Sequence, residues 1–207
     1  MSLWLSRIVV APTSAGAQRV LHDPYMTHQA LLAAFPSKRD GGAGRLLFRV
    51  EPEVRNSKVT ILVQSEVEPD WSKTAFQQLL PAAAGASKAL DLAFPAGQKL
   101  RFRLRANPTV KRDGKRLGRL GDDQQQAWFE RKLRAGGMRL EAAVLVDEGF
   151  VRGIKAAAAQ PRTLTFLSVR ADGVLAVVNP DQAVECVRVG IGSAKGFGFG
   201  LLSLGRA

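Results

Sequence analysis

The sequence predicts an α+β protein built from two tandem units, each with strands and helices in the order βαββαβ. The chain has 207 residues, of which 46% are hydrophobic and 23% charged, which is typical of one large or two small globular domains. Short β-branched segments alternate with stretches of helical periodicity, and this alternation is repeated in the second half. We therefore expect an N-terminal domain over residues 1–94 and a C-terminal domain over residues 95–207.

Periodicity places the elements of the first unit. We expect a strand at 3–10, a helix at 25–35, strands at 45–51 and 59–64, a helix that starts at Trp71 and a strand at 99–105. Pro12 ends the first strand. The order βαββαβ is that of the ferredoxin-like unit, which is also the skeleton of the RNA recognition motif, so the predicted fold is ferredoxin-like and RRM-like.

The second unit repeats the pattern after a basic segment. We expect a helix at 122–134, strands at 138–146, 163–169 and 174–178, and a helix at 181–189. Asp122 and Asp123 at the start of the first of these helices complement the helix dipole, and so do the basic residues at its end, Arg131, Lys132 and Arg134. The dipeptide Asp172-Gly173 predicts a hairpin turn between the last two strands.

Composition excludes several classes of protein. One cysteine, Cys186, and two histidines cannot form a Cys/His zinc cage, and no cluster of carboxylates has ligand spacing, so neither a metal nor a cofactor is expected. No window approaches the roughly 20 apolar residues of a membrane-spanning helix. Arg7 interrupts the apolar start of the chain, which argues against a secretory signal, and we expect a cytoplasmic protein without a membrane partner.

The basic excess points to a polyanion. The formal charge is +12, and residues 97–121 carry nine basic residues against the single acid Asp113. Arg101, Arg103 and Arg105 alternate with apolar residues, so a strand would place three guanidiniums on one face. Nucleic acid is the natural partner of such a face, and a solvated strand edge protected by charge is the alternative. The candidate contacts in and after this segment are Arg103, Arg105, Lys115, Arg116 and Arg131.

A glycine-rich segment near the C-terminus is the second candidate for binding. Five glycines stand within eleven residues, at Gly190, Gly192, Gly196, Gly198 and Gly200. Their N–H groups, with Lys195 among them, could form a phosphate nest, although the segment lacks the Gly-Lys-Ser/Thr ending of a P-loop. The alternative is a tight connection in which Phe197 and Phe199 belong to the core.

A pair of side chains suited to proton transfer lies at the start of the first predicted helix. Asp23 and Pro24 fit the N-cap and first helical positions, which puts Tyr25 and His28 side by side. Imidazole titrates near neutrality, so His28 could act as a general acid or base, with Tyr25 in support. The spacing alone favours the alternative that His28 is a core residue.

Four motifs, taken in order, resemble the CasE family of type I-E CRISPR-associated endoribonucleases. They are Tyr25-x-x-His28, the Arg-Ala-Asn-Pro sequence at 105–108, the Gln-Ala-Trp-Phe sequence at 126–129 and the glycine-rich segment through Ser203. The resemblance runs nearly from end to end. It implies tandem ferredoxin-like domains that bind the stem-loop of a CRISPR repeat transcript and cut at its 3′ base without a metal.

The resemblance also assigns roles to residues. His28 matches the catalytic histidine and Tyr25 its neighbouring tyrosine, while Arg152 and Lys155 fall in a basic hairpin that engages RNA, and Lys195 is the expected phosphate contact. Attack by the 2′-hydroxyl would leave a 2′,3′-cyclic phosphate and a 5′-hydroxyl. The expected partners are the repeat RNA, the mature guide RNA and other subunits of the surveillance complex. The alternative is a non-catalytic RNA-binding subunit in which Tyr25 and His28 are core.

Overall fold

The computed structural model describes residues 2–54, 56–73, 84–113, 115–155 and 162–207. The α-helices of this part are α1 (Ala15–His22), α2 (Pro24–Leu32), α3 (Asp122–Ala135) and α4 (Pro180–Val189). Its strands are β1 (Leu3–Val10), β2 (Leu46–Val50), β3 (Val59–Ser65), β4 (Ala84–Leu90), β5 (Lys99–Ala106), β6 (Thr109–Arg112), β7 (Lys115–Gly118), β8 (Met138–Lys155), β9 (Arg162–Val177) and β10 (Leu202–Arg206). Short 3₁₀ turns lie at Lys38–Asp40, Trp71–Lys73 and Lys195–Phe197.

The chain divides into two compact units. The first comprises Met1–Asp91, Arg152–Leu164 and Gly196–Gly198, and the second comprises Leu92–Val151, Thr165–Lys195 and Phe199–Ala207. The sheet of the first unit has the order β2-β3-β1-β4, and that of the second has the order β10-β5-β9-β8. When the strands are counted within each four-stranded sheet, both sheets have the order 4-1-3-2, and the fold is a tandem ferredoxin-like α+β fold, as predicted. The boundary between residues 94 and 95 stays a prediction.

The core of the first unit forms between its sheet and its helices. Ile8 on β1 is opposite Ile61 on the antiparallel strand β3, and both side chains are buried. Leu31 of α2 and Phe48 of β2 belong to the same buried cluster. Because α2 is packed against this core through its apolar face, its remaining side chains are held in fixed directions.

The core of the second unit follows from the alternation in β5. Leu100, Phe102 and Leu104 are buried, whereas the intervening arginines are exposed or half-buried, so the predicted two-faced strand is confirmed. Trp128 and Phe129 of α3 belong to the same buried cluster, and their rings meet edge to face with centroids 5.1 Å apart. Each such large side chain contributes about 1.5–3 kcal/mol when it is buried.

The prediction for the last strand of the first unit was wrong. That position is taken by β4, Ala84–Leu90, whereas Lys99–Ala106 is the first strand of the second sheet. β4 was missed because it pairs with β1 through small and polar residues. Its sequence therefore shows no hydrophobic alternation. Ser87 is opposite Ser6, and their hydroxyl groups are hydrogen-bonded at 2.8 Å.

The predicted hairpin turn at Asp172-Gly173 was also wrong, because β9 is continuous from Arg162 to Val177. Asp172 is opposite Arg103 on β5 and forms an ion pair with it. Gly173 serves a close approach between neighbouring strands. A Cβ atom at this position would lie 2.8 Å from Ala143 Cα and closer still to the carbonyl oxygen of Ala142.

Most of the other predicted strands and helices lie close to their positions in the structure. The strands predicted at 3–10, 45–51 and 59–64 and the helices at 122–134 and 181–189 are confirmed within a few residues, whereas β8 extends beyond its predicted end to Lys155. Helix α1 and the β6–β7 hairpin were not predicted. Of the helix expected from Trp71, residues 74–83 lie outside the described residues. No helix in the described part is long and apolar enough to cross a membrane.

Candidate active site

Asp23 positions the helix that carries the Tyr–His pair. Its Oδ1 atom accepts hydrogen bonds from the backbone N–H groups of Tyr25, at 2.8 Å, and Met26, at 3.4 Å, and Pro24 occupies the first helical position. The predicted N-cap is therefore confirmed. Thr27 adds a second anchor, since its hydroxyl donates to the carbonyl oxygen of Val20 at 2.5 Å.

Tyr25 and His28 each stack on a phenylalanine. The Tyr25 and Phe197 ring centroids are 6.3 Å apart, and those of His28 and Phe48 are 6.1 Å apart. Phe48 is only 1% exposed, so the imidazole rests on a rigid part of the core, but both Tyr25 and His28 are themselves only half-buried. Sequence periodicity did not single out Phe48, because a core phenylalanine on β2 has no local signature of this contact.

The glycine-rich segment reaches the imidazole at Gly196. A Cβ atom at this position would lie 3.7 Å from His28 Nε2, so the backbone of the segment passes directly beside the ring. Gly198 has φ +81°, and a Cβ atom there would lie 3.2 Å from the Phe48 ring. Glycine is required at position 198 both by this backbone conformation and by the packing on Phe48.

The end of β8 belongs to the same unit and contacts the same helix. Oδ2 of Asp23 accepts from the backbone N–H of Ile154 at 3.3 Å. A Cβ atom on Gly153 would lie 3.3 Å from the Phe197 ring and 3.5 Å from Pro24. Arg152 is exposed, and Lys155 is the last residue of the strand, with its side chain outside the described part. The first unit thus gathers Tyr25 and His28, Gly196–Gly198 and the part of β8 where Arg152 and Lys155 of the predicted basic hairpin lie.

In the second unit, carboxylates partly neutralise the arginine face of β5. Arg103 pairs with Asp172 at 2.5 Å and Arg105 with Glu148 at 2.6 Å. Arg170 on β9 contacts both of these acids. The network holds three guanidiniums against two carboxylates, so a positive excess remains and the guanidiniums are fixed in place.

The other predicted contacts occupy separate elements of the second unit. Lys115 and Arg116 begin β7, where they are opposite Arg112 and Lys111 of β6, and nothing more is described of these four side chains. Four basic residues therefore flank the tip of one hairpin. Arg131 is an exposed residue on the third turn of α3.

Lys195 serves the architecture of the glycine-rich segment. Its ammonium group donates to the carbonyl oxygen of Val189, at the end of α4, at 2.7 Å. Positive charge at this end of a helix is favourable. Gly190, Gly192 and Gly200 lie in the second unit, where the N–H of Gly200 donates to the carbonyl oxygen of Arg105 at 2.8 Å. Phe199 is fully buried, whereas Phe197 is half-buried.

The ionisable groups that could hold a metal are dispersed. Within the described ranges, no group of three or more His, Cys, Asp or Glu side chains is placed to bind a metal ion. The one cysteine, Cys186, is a half-buried residue of α4, and burial raises the pKa of its thiol to about 11.

Comparison with known proteins gives first the class and then the family. Residues 3–206 match the family model described as CRISPR associated protein. The CRISPR-associated endoribonuclease Cse3 of Thermus thermophilus is 36% identical over 214 residues, covering 98% of this chain and 99% of that protein. The Cascade subunit CasE of Escherichia coli is 30% identical, with 98% of each chain covered.

Solved structures agree with the sequence comparison. Thermus thermophilus Cse3 bound to an RNA that represents a pre-cleavage complex matches with a TM-score of 0.84 at 33% identity, covering 99% of this chain and 100% of that one. The chain belongs to the CasE/Cse3 family of CRISPR-associated endoribonucleases. The resemblance noted in the sequence is thereby confirmed.

Proposed function

We propose that this protein cuts CRISPR repeat transcripts at the 3′ base of the stem-loop, without a metal ion, by attack of the 2′-hydroxyl upstream of the cut. The observation that carries the proposal is the placement of Tyr25 and His28 on the half-exposed face of α2, with His28 beside Gly196, in a chain 36% identical to an endoribonuclease. Both side chains are accessible and held by aromatic contacts, which favours catalysis over a core role.

The reaction balances without water. The 2′-oxygen forms a bond to phosphorus, the bond from phosphorus to the 5′-oxygen breaks, and the proton lost by the 2′-hydroxyl is matched by one gained at the 5′-oxygen. His28 carries out one of these two transfers, since imidazole titrates near neutral pH. Tyr25 orients the nucleophile or supports the other transfer. The products are a 2′,3′-cyclic phosphate and a 5′-hydroxyl.

We further propose that the basic residues hold the RNA. Arg103, Arg105, Lys115, Arg116 and Arg131 would contact the stem, which a protein recognises through its A-form shape and backbone phosphates. Arg152 and Lys155 would contact the strand near the cut, and Lys195, in the glycine-rich segment, would contact a phosphate. After cleavage the protein would stay on the mature guide RNA in the cytoplasm as a subunit of the surveillance complex, as the Cascade subunit CasE of Escherichia coli suggests.

The decisive experiment compares two histidines. Purified protein is incubated with a labelled repeat hairpin in excess EDTA, and the product ends are resolved for the wild type, His28→Ala and His22→Ala. His22 is the matched control because it is exposed on α1, where its ring contacts the carbonyl oxygen of Gln18. We expect cleavage by the wild type and by His22→Ala, and RNA binding without cleavage by His28→Ala.

Two results would contradict the proposal. Binding without cleavage by the wild type, with a repeat from the same locus, would leave an RNA-binding subunit. Incorporation of labelled water into a linear 3′-phosphate with no cyclic precursor would exclude attack by the 2′-hydroxyl.

A further inference from the structure

We propose that a cavity of about 440 Å³ in the second unit binds one backbone phosphate of the RNA, with Lys132, Ser193 and Thr109 as ligands in addition to Arg131. This inference rests on the proposed function, and it assigns to RNA binding three residues to which the sequence patterns gave no such role. The cavity, called the phosphate pocket below, is lined by Thr109, Trp128, Arg131, Lys132, Gly192 and Ser193, together with Val110.

The pocket has a rigid floor. The indole of Trp128 is 2% exposed, and its Nε1–H donates to the carbonyl oxygen of Thr109 at 3.1 Å, which joins α3 to the start of β6. Gly192 has φ +85°, and a Cβ atom there would lie 3.1 Å from the indole ring. The backbone therefore lies against the tryptophan, and the three elements that meet here are fixed before any ligand arrives.

Two cations stand over this floor. Arg131 and Lys132 follow Trp128 by three and four residues, which puts them on the same face of α3. The Nζ atom of Lys132 lies 5.8 Å from the centroid of the Trp128 ring, a distance at which the ring attracts the ammonium group. Lys132 is half-buried, so less of its side-chain freedom is lost when it binds an anion.

The absence of acid distinguishes this pocket from its neighbours. None of the described residues that line it is acidic. A cavity of about 450 Å³ between α3 and α4 includes Asp181 and Glu185, and one of about 410 Å³ beside Arg119 includes Asp123. Lys132 also lines the first of these cavities and Arg131 the second, but of the three cavities the phosphate pocket alone has a described lining without an acidic residue, which favours an anion there.

Hydroxyl donors complete the site. The Ser193 hydroxyl oxygen lies 3.3 Å from that of Thr109 and 3.4 Å from Nδ2 of Asn107. These are long, weak contacts, and a hydroxyl hydrogen rotates freely, so both groups can turn to donate to an anion. Two cations and two hydroxyl donors suit the unesterified oxygens of a phosphodiester.

The test measures the salt dependence of RNA affinity. Lys132→Gln is compared with Arg134→Gln, a matched control that removes an exposed positive charge from the same helix outside the pocket. One lost phosphate contact makes the slope of log K against log salt concentration less negative by about 0.9. The ratio of the wild-type affinity to that of Lys132→Gln should therefore fall about 3.5-fold between about 50 and about 200 mM salt. Lys132→Arg should restore the wild-type slope, and Ser193→Ala should weaken binding while the chain keeps its melting temperature.

The source of the phosphate is tested separately with inorganic phosphate. Suppose that inorganic phosphate, at constant ionic strength, stabilises the wild type but not Lys132→Gln, while the salt slopes of RNA affinity are the same for both. The pocket would then be a site for free phosphate, and the proposal would be overturned. Equal slopes for Lys132→Gln, Arg134→Gln and the wild type would also overturn the proposal. In either case the wild type would still cleave bound RNA, whereas failure of the proposed function would show as no cleavage by the wild type itself.

Discussion

The phenol ring of Tyr25 lies over the ring of Phe197, with centroids 6.3 Å apart and an angle of 29° between the planes. Phe197 therefore links α2, the helix that carries Tyr25 and His28, to the glycine-rich segment through one ring. The same ring lies against Gly153 near the end of β8. Three stretches that are distant in sequence are thus brought to one aromatic side chain within the first unit.

Phe197→Leu should slow cleavage without weakening RNA binding. Leucine keeps apolar volume but loses the flat face that orients Tyr25, and misplaced catalytic groups cost about ten- to hundred-fold in rate. The measurement is the single-turnover rate at saturating protein, with the dissociation constant recorded in parallel. Phe197→Tyr should retain most of the rate.

The control for this variant is Phe35→Leu. Phe35 is 8% exposed and packs edge to face on Trp71, whereas Phe197 stacks on Tyr25. Phe35→Leu should lower the free energy of unfolding by about 1 kcal/mol yet leave the cleavage rate unchanged. Equal rates for Phe197→Leu and the wild type would show that the stacking has no positioning role.

Gly196→Ala should fold normally and lose activity. The added methyl group would lie 3.7 Å from His28 Nε2, an ordinary contact distance, but it would occupy space that the reacting phosphate needs beside the imidazole. We expect the cleavage rate to fall by about tenfold or more, and the free energy of unfolding to change by less than about 0.5 kcal/mol. Gly205→Ala is the control because nothing lies within 4 Å of a Cβ atom at that position. A rate equal to that of Gly205→Ala would place the substrate elsewhere.

Asp23→Ala should reduce both stability and activity. Loss of the N-cap costs about 1 kcal/mol, and loss of the contact with Ile154 frees the end of β8 from α2. Urea denaturation measures the first effect and single-turnover cleavage the second. Ser14→Ala removes the corresponding cap of α1, so it should lower stability by a similar amount without slowing cleavage. If both variants slow cleavage equally, Asp23 acts only through overall stability.

The Cys186 thiol should make the free energy of unfolding depend on pH above about 9.0. Burial raises the pKa of this thiol from 9.0 to about 11, so the unfolded chain releases the proton at lower pH than the folded chain does. The resulting stability is fully present below pH 9.0 and is lost as pH rises through about 11. The check is the difference in free energy of unfolding between the wild type and Cys186→Ala, which should change across that interval. A difference that does not vary with pH would contradict the burial of the thiol.

Local sequence patterns determined much of the fold. The alternation in β5, the N-cap at Asp23 and the dipole-complementing charges of α3 each depend on neighbours within one turn or one strand, and each is found in the structure. The pairing of Tyr25 with His28 on one helix face follows in the same way. These features depend on a period of two or 3.6 residues, which a sequence displays directly.

Long-range packing decided the rest. β4 is built from small and polar residues that pair with β1, with Ser87 opposite Ser6, and glycine is needed at position 173 of a continuous strand because the backbone of β8 passes close to it. No local pattern encodes either contact. The same holds for the contact of His28 with Phe48, since a histidine on an apolar stripe gives the same sequence signal whether it is core or accessible.

The sequence by itself therefore determined the class of fold, the basic character and the helix that carries Tyr25 and His28. Only the tertiary structure decided that Gly196 lies beside the imidazole, that Phe197 supports the phenol, and that Lys132 and Ser193 line one acid-free pocket. The physical reason is that propensity and periodicity act between neighbours in the chain. Sites are made of contacts between distant segments, and those depend on the register and packing of the whole unit.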